Sequence, residues 1–277
     1  MGKTLLNIRI LYNDMGKAEK KIADFLMQNP QAILPLSITE LADRCGCGEA
    51  TIVRFSRRLG FVGYQQMKLA IAGEEEIRPI GDNITEADGA FEVFEKVCGD
   101  IYCSLEKTKK AISSEALASA CEAILSARRV LIFGLGNSAS VAFDAEHKLL
   151  RLGMDAAAYT DNHLQAIAAS HTGKGDVVIG ISHSGSSRDI IEAMQLASAN
   201  GALTVALTTL GKSPVGKVSD LLLCTVSDET NYSILGLNSR IAQLAIIDTL
   251  YSYLVCHLPT ADTAIKETEN ALQTKKY

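Results

Sequence analysis

The spacing of apolar residues divides the chain in two. In the first part it is helical: Leu5 to Tyr12 forms a short apolar helix, and 14–28 places Ile22, Phe25 and Leu26 on one face before Asn29-Pro30 stops it. Ser37-Ile38-Thr39-Glu40 is a capping box, in which the serine hydroxyl and the glutamate carboxylate each satisfy an orphan backbone N–H. It opens a helix over 38–44 that ends in the turn Cys45-Gly46-Cys47-Gly48; a second helix follows over 49–59, closed by Gly60, and another starts at Gly63-Tyr64. Two short helices joined by a glycine-bearing turn predict a helix-turn-helix.

From residue 129 the pattern changes. Short apolar runs at 129–133, 155–159, 176–181, 203–208 and 221–225, rich in Val, Ile and Leu except for the alanine-rich 155–159, alternate with helical stretches at 139–151, 162–171, 188–200 and a short one near 214–218. Strands without polar alternation are buried on both faces, so a parallel sheet covered by helices is expected. A long helix over 238–257, with Ile241, Leu244, Ala245, Ile247 and Leu250 on its apolar side, closes this part, and 258–277 is polar. Between the parts, Glu74-Glu75-Glu76, Pro79, Gly81 and Asp88-Gly89 break any period, and 91–126 reads as two helices, the second opening at Ser113-Ser114. The expected organisation is a helix-turn-helix domain over 1–76, a linker over 77–90 and an α/β domain over 91–277.

Charge sharpens the first part. The chain carries −5 overall, yet residues 1–79 hold 11 Lys and Arg against 9 Asp and Glu, leaving −7 on the remainder. On the helix over 49–59, Ile52, Phe55 and Leu59 share one face, and Thr51, Arg54, Arg57 and Arg58 share another. A charged helix face is ordinarily just solvated. Here it lies on the second helix of the motif, in the basic part of the chain, and that favours DNA: Arg reads guanine O6 and N7 or holds phosphate. Lys68, on the following helix, is a further phosphate-contact candidate.

Two loops carry the candidate chemistry of the second part. The strand at 129–133 empties into Gly134-Leu135-Gly136-Asn137-Ser138-Ala139-Ser140, and the strand at 176–181 into Ser182-His183-Ser184-Gly185-Ser186-Ser187. Each loop precedes a helix, whose N-terminus favours an anion; glycine admits close approach and serine adds donors without bulk. Together they suit one phosphate carried on a polyol.

The chain resembles the RpiR/MurR type of bacterial transcriptional regulator, an N-terminal helix-turn-helix domain fused to a SIS (sugar isomerase) domain. The likeness rests on Ile38-Thr39-Glu40-Leu41-Ala42, Ala50-Thr51-Ile52-Val53-Arg54-Phe55, Leu59-Gly60-Phe61 with Gly63-Tyr64, both serine loops, and Ser239-Arg240-Ile241-Ala242-Gln243. It implies a three-layer α/β/α sandwich with a five-stranded parallel sheet, and a phosphosugar effector held by Gly136, Asn137, Ser138, Ser182, Ser184, Gly185 and Ser187, with Ser140 and Ser186 beside them. By the same analogy Glu229 reaches the sugar hydroxyls. The implied function is regulation of sugar-metabolism genes by a homodimer or homotetramer on operator DNA, with no cofactor, metal or catalysis.

Two other readings stay open. Gly134 to Ala139 fits a dinucleotide GxGxxA turn, with Asp155 or Asp161 as the ribose acid, although Asp155 falls at the start of its predicted strand. A sugar-phosphate isomerase would need an acid/base pair, and His147, His163, His171, His183 and Glu229 are the available groups. Seven cysteines without a CxxC pair, no secretory h-region and no apolar run of spanning length predict reduced thiols, no membrane association and a cytoplasmic location.

Overall fold

A computed structural model describes residues 3–72, 84–227, 237–273 and 275. The described residues form two compact units, one reaching Lys96 and including the excursion Gly211–Pro214, the other running from Val97 apart from that excursion.

The first unit is helical: α1 (Lys3–Leu11), α2 (Lys17–Gln28), α3 (Ile38–Cys45), α4 (Glu49–Arg58) and α5 (Tyr64–Ala72). Ile8, Ile22, Leu26, Leu41, Ile52, Phe55 and Met67 are fully buried and form its centre. The capping box at α3 is present, with Ser37 N–H donating to Glu40 Oε2 at 2.8 Å and Glu40 N–H to Ser37 Oγ at 3.2 Å. Gly46 ends α3 at φ 60°, a left-handed conformation that glycine adopts without the usual Cβ penalty, and so turns the chain into α4. The division between the units falls inside one continuous helix, α6 (Ala90–Ala111).

The second unit continues with α7 (Ser114–Leu125), then alternates: β1 (Arg129–Gly134), α8 (Ser138–Arg151), β2 (Ala156–Tyr159), α9 (Asn162–Ser170), β3 (Asp176–Ile181), α10 (Arg188–Ala199), β4 (Leu203–Thr209), α11 (Pro214–Lys217) and β5 (Leu221–Thr225). Two helices complete it, α12 (Leu237–His257) and α13 (Ala261–Gln273), the latter in the polar terminal stretch. All five strands are parallel, in the order β2-β1-β3-β4-β5. Alternate side chains go to opposite layers: Val130, Ile132, Val177 and Ile179 meet α7, α8 and α12, whereas Leu131, Phe133 and Val178 meet α9 and α10. The result is the expected three-layer sandwich. Asp176, fully buried at the start of β3, is held by Arg128 and Arg129 and by the Gly173 N–H, which ties down the edge of the sheet away from the loops.

Candidate functional site

Loop geometry follows from strand order. The chain leaves β1 for β2 on one side and returns to β3 on the other, so the carboxyl ends of β1 and β3 flank a topological switch point, where open parallel sheets bind ligands. Gly134 is in register with Ile181, and both serine loops therefore start from neighbouring strands at the same edge. The 14-residue α8 and the 12-residue α10 begin there, directing two helix N-termini to that edge.

Two glycines let each helix start close to its strand. A Cβ on Gly134 would lie 2.7 Å from the Ser138 carbonyl oxygen, and one on Gly180 would lie 2.7 Å from Met194 Sδ. The turns themselves rely on left-handed glycines, Gly136 at φ 56° and Gly185 at φ 61°. The second loop is anchored: Ser182 N–H donates to Leu207 O, Val215 N–H to Gly185 O, and the His183 carbonyl accepts from Thr209 N–H and the Thr208 hydroxyl. Thr208, fully buried at the end of β4, was not singled out by sequence because its role depends on a neighbour 25 residues away.

The candidate serines divide by what their hydroxyls already do. Ser140 donates to Asn137 O at 2.8 Å and Ser186 donates to Ser184 O at 3.2 Å, so both close their own turns. Ser184 Oγ accepts from Ser186 N–H at 3.3 Å, which uses a lone pair and leaves its proton to give. Ser187 stands at the N-cap of α10 without a side-chain capping bond, and Asn137 holds the same position on α8. Ser138, Ser184 and Ser187 are half-buried, while Ser182 and Gly185 are buried beneath them and Gly136 and Asn137 are exposed. Arg188, the nearest cation in sequence, pairs with Glu192 at 2.7 Å while 80% exposed. Glu229 lies outside the described residues.

Of the groups on which the other readings rest, His163 lies in the first turn of α9 and His183 in the second serine loop, both at the loop edge. Asp155 precedes β2 at the opposite edge of the sheet, and its carbonyl accepts from Val130 N–H. Asp161 does reach the loop edge, but its carboxylate caps α9 by accepting from Leu164 N–H at 3.0 Å. His147 is exposed on α8, and His171 lies beyond the end of α9, where its carbonyl accepts from Arg129. Among the described residues no group of three or more His, Cys, Asp or Glu is placed to hold a metal ion.

In the helical unit, α4 buries Ile52, Phe55 and Leu59 and leaves Arg54, Arg57 and Arg58 exposed, with Thr51 half-buried. Thr39 Oγ1 donates to Glu49 Oε1 at 2.6 Å, fixing the start of α4 against α3. Arg54 makes only a long contact to Thr51 Oγ1, 3.4 Å, and Arg57 a similar one to Val62 O. Arg58 is differently engaged: it pairs with Glu19 at 2.9 Å and donates to Asp14 O at 2.7 Å, tying α4 to α2. Lys68 donates to Leu36 O at 2.9 Å, and burial lowers its amine to about 8, with Glu40 opposing the shift. Its head therefore points into the unit.

The chain matches the helix-turn-helix domain of the rpiR family over residues 2–76 and the SIS domain over residues 123–253. It is 36% identical to an uncharacterized HTH-type transcriptional regulator of Caldanaerobacter subterraneus, covering 91% of this chain and 90% of that one. It belongs to the rpiR family. A second member, the HTH-type transcriptional regulator HexR of Pseudomonas aeruginosa, is 33% identical over 90% of this chain and 88% of its own. In structure, the Vibrio vulnificus NanR protein, solved in complex with ManNAc-6P, superposes with a TM-score of 0.85 at 26% identity, covering 99% of each chain. The sugar isomerase domain of an RpiR transcription factor from Sphaerobacter thermophilus aligns with a TM-score of 0.58 at 26% identity over 64% of this chain and 97% of that one. Like these relatives, the chain is a helix-turn-helix transcriptional regulator carrying a SIS domain. No single described helix is long and apolar enough to cross a membrane.

Proposed function

We propose that a phosphosugar bound at the carboxyl ends of β1 and β3 controls operator binding by α4, without being turned over. One observation carries the reading: two hydroxyl-bearing turns leave adjacent strands at the same edge, each at the N-terminus of a long helix. A phosphate dianion there receives hydroxyl and amide donors, and aligned helix dipoles favour it without a committed cation. The complex of the NanR relative with ManNAc-6P supports this choice of ligand class. Ser138, Ser184 and Ser187 supply the donors, Ser182, Gly136 and Gly185 shape the turns, and Ser140 and Ser186 hold them closed.

At the operator, Arg54 and Thr51 face the bases and Arg57 the backbone, while Arg58 and Lys68 keep α4 and α5 seated. A dimer sets two α4 helices at half-sites about 34 Å apart or a multiple of it. Closing the two turns on the ligand shifts that dimer by a coupling of ~1–3 kcal/mol.

The test is calorimetric titration with ManNAc-6P, glucose 6-phosphate and ribose 5-phosphate, preceded by a thermal-shift screen. Ser184→Ala should weaken the best ligand by ~1.5–3 kcal/mol, the range for a hydrogen bond to a charged group, with effector-free operator affinity unchanged. Equal affinity in the variant removes the pocket, and interconversion of an aldose and a ketose phosphate by the pure protein removes the non-catalytic role.

A further inference from the structure

The run Gly211–Pro214, just after β4, belongs by its packing to the helical unit, whereas Leu210 before it and Val215 after it belong to the α/β unit. Its seat is the start of α3. The Ser37 hydroxyl, already an acceptor for Glu40 N–H in the capping box, donates to the Lys212 carbonyl, and Lys212 Nζ pairs with Asp43 at 2.7 Å. Gly211, at φ 130°, stands so close to the capping box that a Cβ on it would lie 2.5 Å from Glu40 Oε1, while Oε2 of that carboxylate accepts the Ser37 N–H.

Both ends of the run are fastened to the second serine loop. Thr209 N–H and the Thr208 hydroxyl donate to the His183 carbonyl at 3.1 and 3.2 Å, and Val215 N–H donates to the Gly185 carbonyl at 2.9 Å. The two carbonyls flank Ser184, the residue of that loop whose hydroxyl keeps a proton to give. The upstream end is also pinned to β5, because Leu210 N–H donates to Thr225 O at 2.7 Å. A displacement of Gly185 therefore enters the run through Val215. Pro214, with φ fixed by its ring, passes it toward Lys212 rather than absorbing it. From α3 it reaches α4, whose start is held by the bond from Thr39 to Glu49.

We infer that Gly211–Pro214 is the relay through which the second serine loop governs α3, and through α3 the seating of α4. The inference rests on the phosphosugar reading of the serine loops and names the segment that carries its coupling.

Amide hydrogen exchange of the full chain, with and without ManNAc-6P, glucose 6-phosphate or ribose 5-phosphate, is the test. A sugar that slows exchange over 182–187 should also change it over 37–45, by roughly 5–150-fold, the ordinary range of such coupling. Lys212→Glu sets a further carboxylate beside Asp43 and Glu40. It should keep the response at 182–187 and lose the one at 37–45, and adding Asp43→Lys should bring the second response back. Gly211→Val, whose side chain has no room beside Glu40, should act like Lys212→Glu by shape instead of charge. Parental circular dichroism in both variants separates a lost relay from a lost fold. A response over 37–45 that survives in either variant overturns the relay, as does one that Asp43→Lys fails to restore or that never occurs in the parent although 182–187 is slowed. No response over 182–187 to any of the three sugars removes the phosphosugar reading itself, and the relay with it.

Discussion

Gly134→Ala tests the site through its scaffold. The added methyl would meet the Ser138 carbonyl oxygen at 2.7 Å, its carbon at 3.0 Å and Ala142 Cβ at 3.1 Å. Two of these are backbone atoms of α8, so no side chain can rotate away. A carbon and a carbonyl oxygen rest at about 3.3 Å at closest, and relief therefore moves the first turn of α8 off β1 by roughly 0.6 Å. Overpacking of this kind costs ~1–3 kcal/mol, or roughly 2–12 °C in the melting temperature of a domain this size. The same movement carries Asn137 and Ser138 away from the second loop, and affinity for the phosphosugar should fall at least about tenfold, equivalent to ~1.4 kcal/mol. Gly201→Ala is the control. That glycine sits at φ 92° in the turn from α10 to β4, at the opposite edge, where a Cβ comes no nearer than 3.8 Å to Lys174 N. Its variant suffers left-handed strain of ~1–2 kcal/mol and should bind normally. Calorimetric melting and titration of both variants decide the matter: if both lose stability and both keep full affinity, the start of α8 is not what the ligand contacts.

Arg54→Ala should abolish the operator shift in a gel while leaving phosphosugar binding intact, and an undisturbed shift would mean that another face reads DNA. Lys68→Met isolates a titration. Because burial lowers the folded amine to about 8 from 10.5, the unfolded chain binds more protons between those values, and stability rises with pH across the window. The wild type should gain on the methionine variant from pH 8 to 10 in thermal melts; a constant difference would show the amine to be ordinary. Asp176→Ala removes the partner of two arginines that stay partly solvated and orphans the Gly173 N–H, and should cost ~1–3 kcal/mol. It should leave ligand affinity alone, since the cluster lies at the far edge of the sheet, and a matching loss of affinity in titration would contradict that separation.

What could be read from the chain beforehand was whatever a few neighbouring residues decide. Ser37 and Glu40 cap α3 because both bonds close within one turn. Strand runs such as Val177 to Ile181 announced a sheet covered on both sides because no position in them tolerates water. Sequence grouped Arg54, Arg57 and Arg58 by helical spacing alone, and spacing could not show that Arg58 meets Glu19, 39 residues earlier, or that Lys68 finds Leu36 O, 32 residues away. The resemblance sets Ser140 and Ser186 beside the other serines by loop position, and only the fold shows that their hydroxyls close their own turns. Gly134 and Gly180 show how far local reading reaches: the sequence marks them as small, and only the fold shows which atom each one makes room for.

These differences share a cause that bears on how the regulator works. A residue that closes its own turn contributes rigidity, whereas one whose donor is not spent inside the fold gains most when a ligand arrives. By that criterion the two serine loops are stiff where Ser140, Ser186, Gly185, the His183 carbonyl and the first amides of α8 are bonded, and receptive at the Ser184 hydroxyl. Helix α4 is arranged alike, with Arg58 clamped to α2 and Arg54 held only by a 3.4 Å contact. Pre-positioned backbone with a few available donors lowers the ordering cost of binding at both places, so effector and operator affinities should each depend more on these few groups than on the number of polar residues nearby.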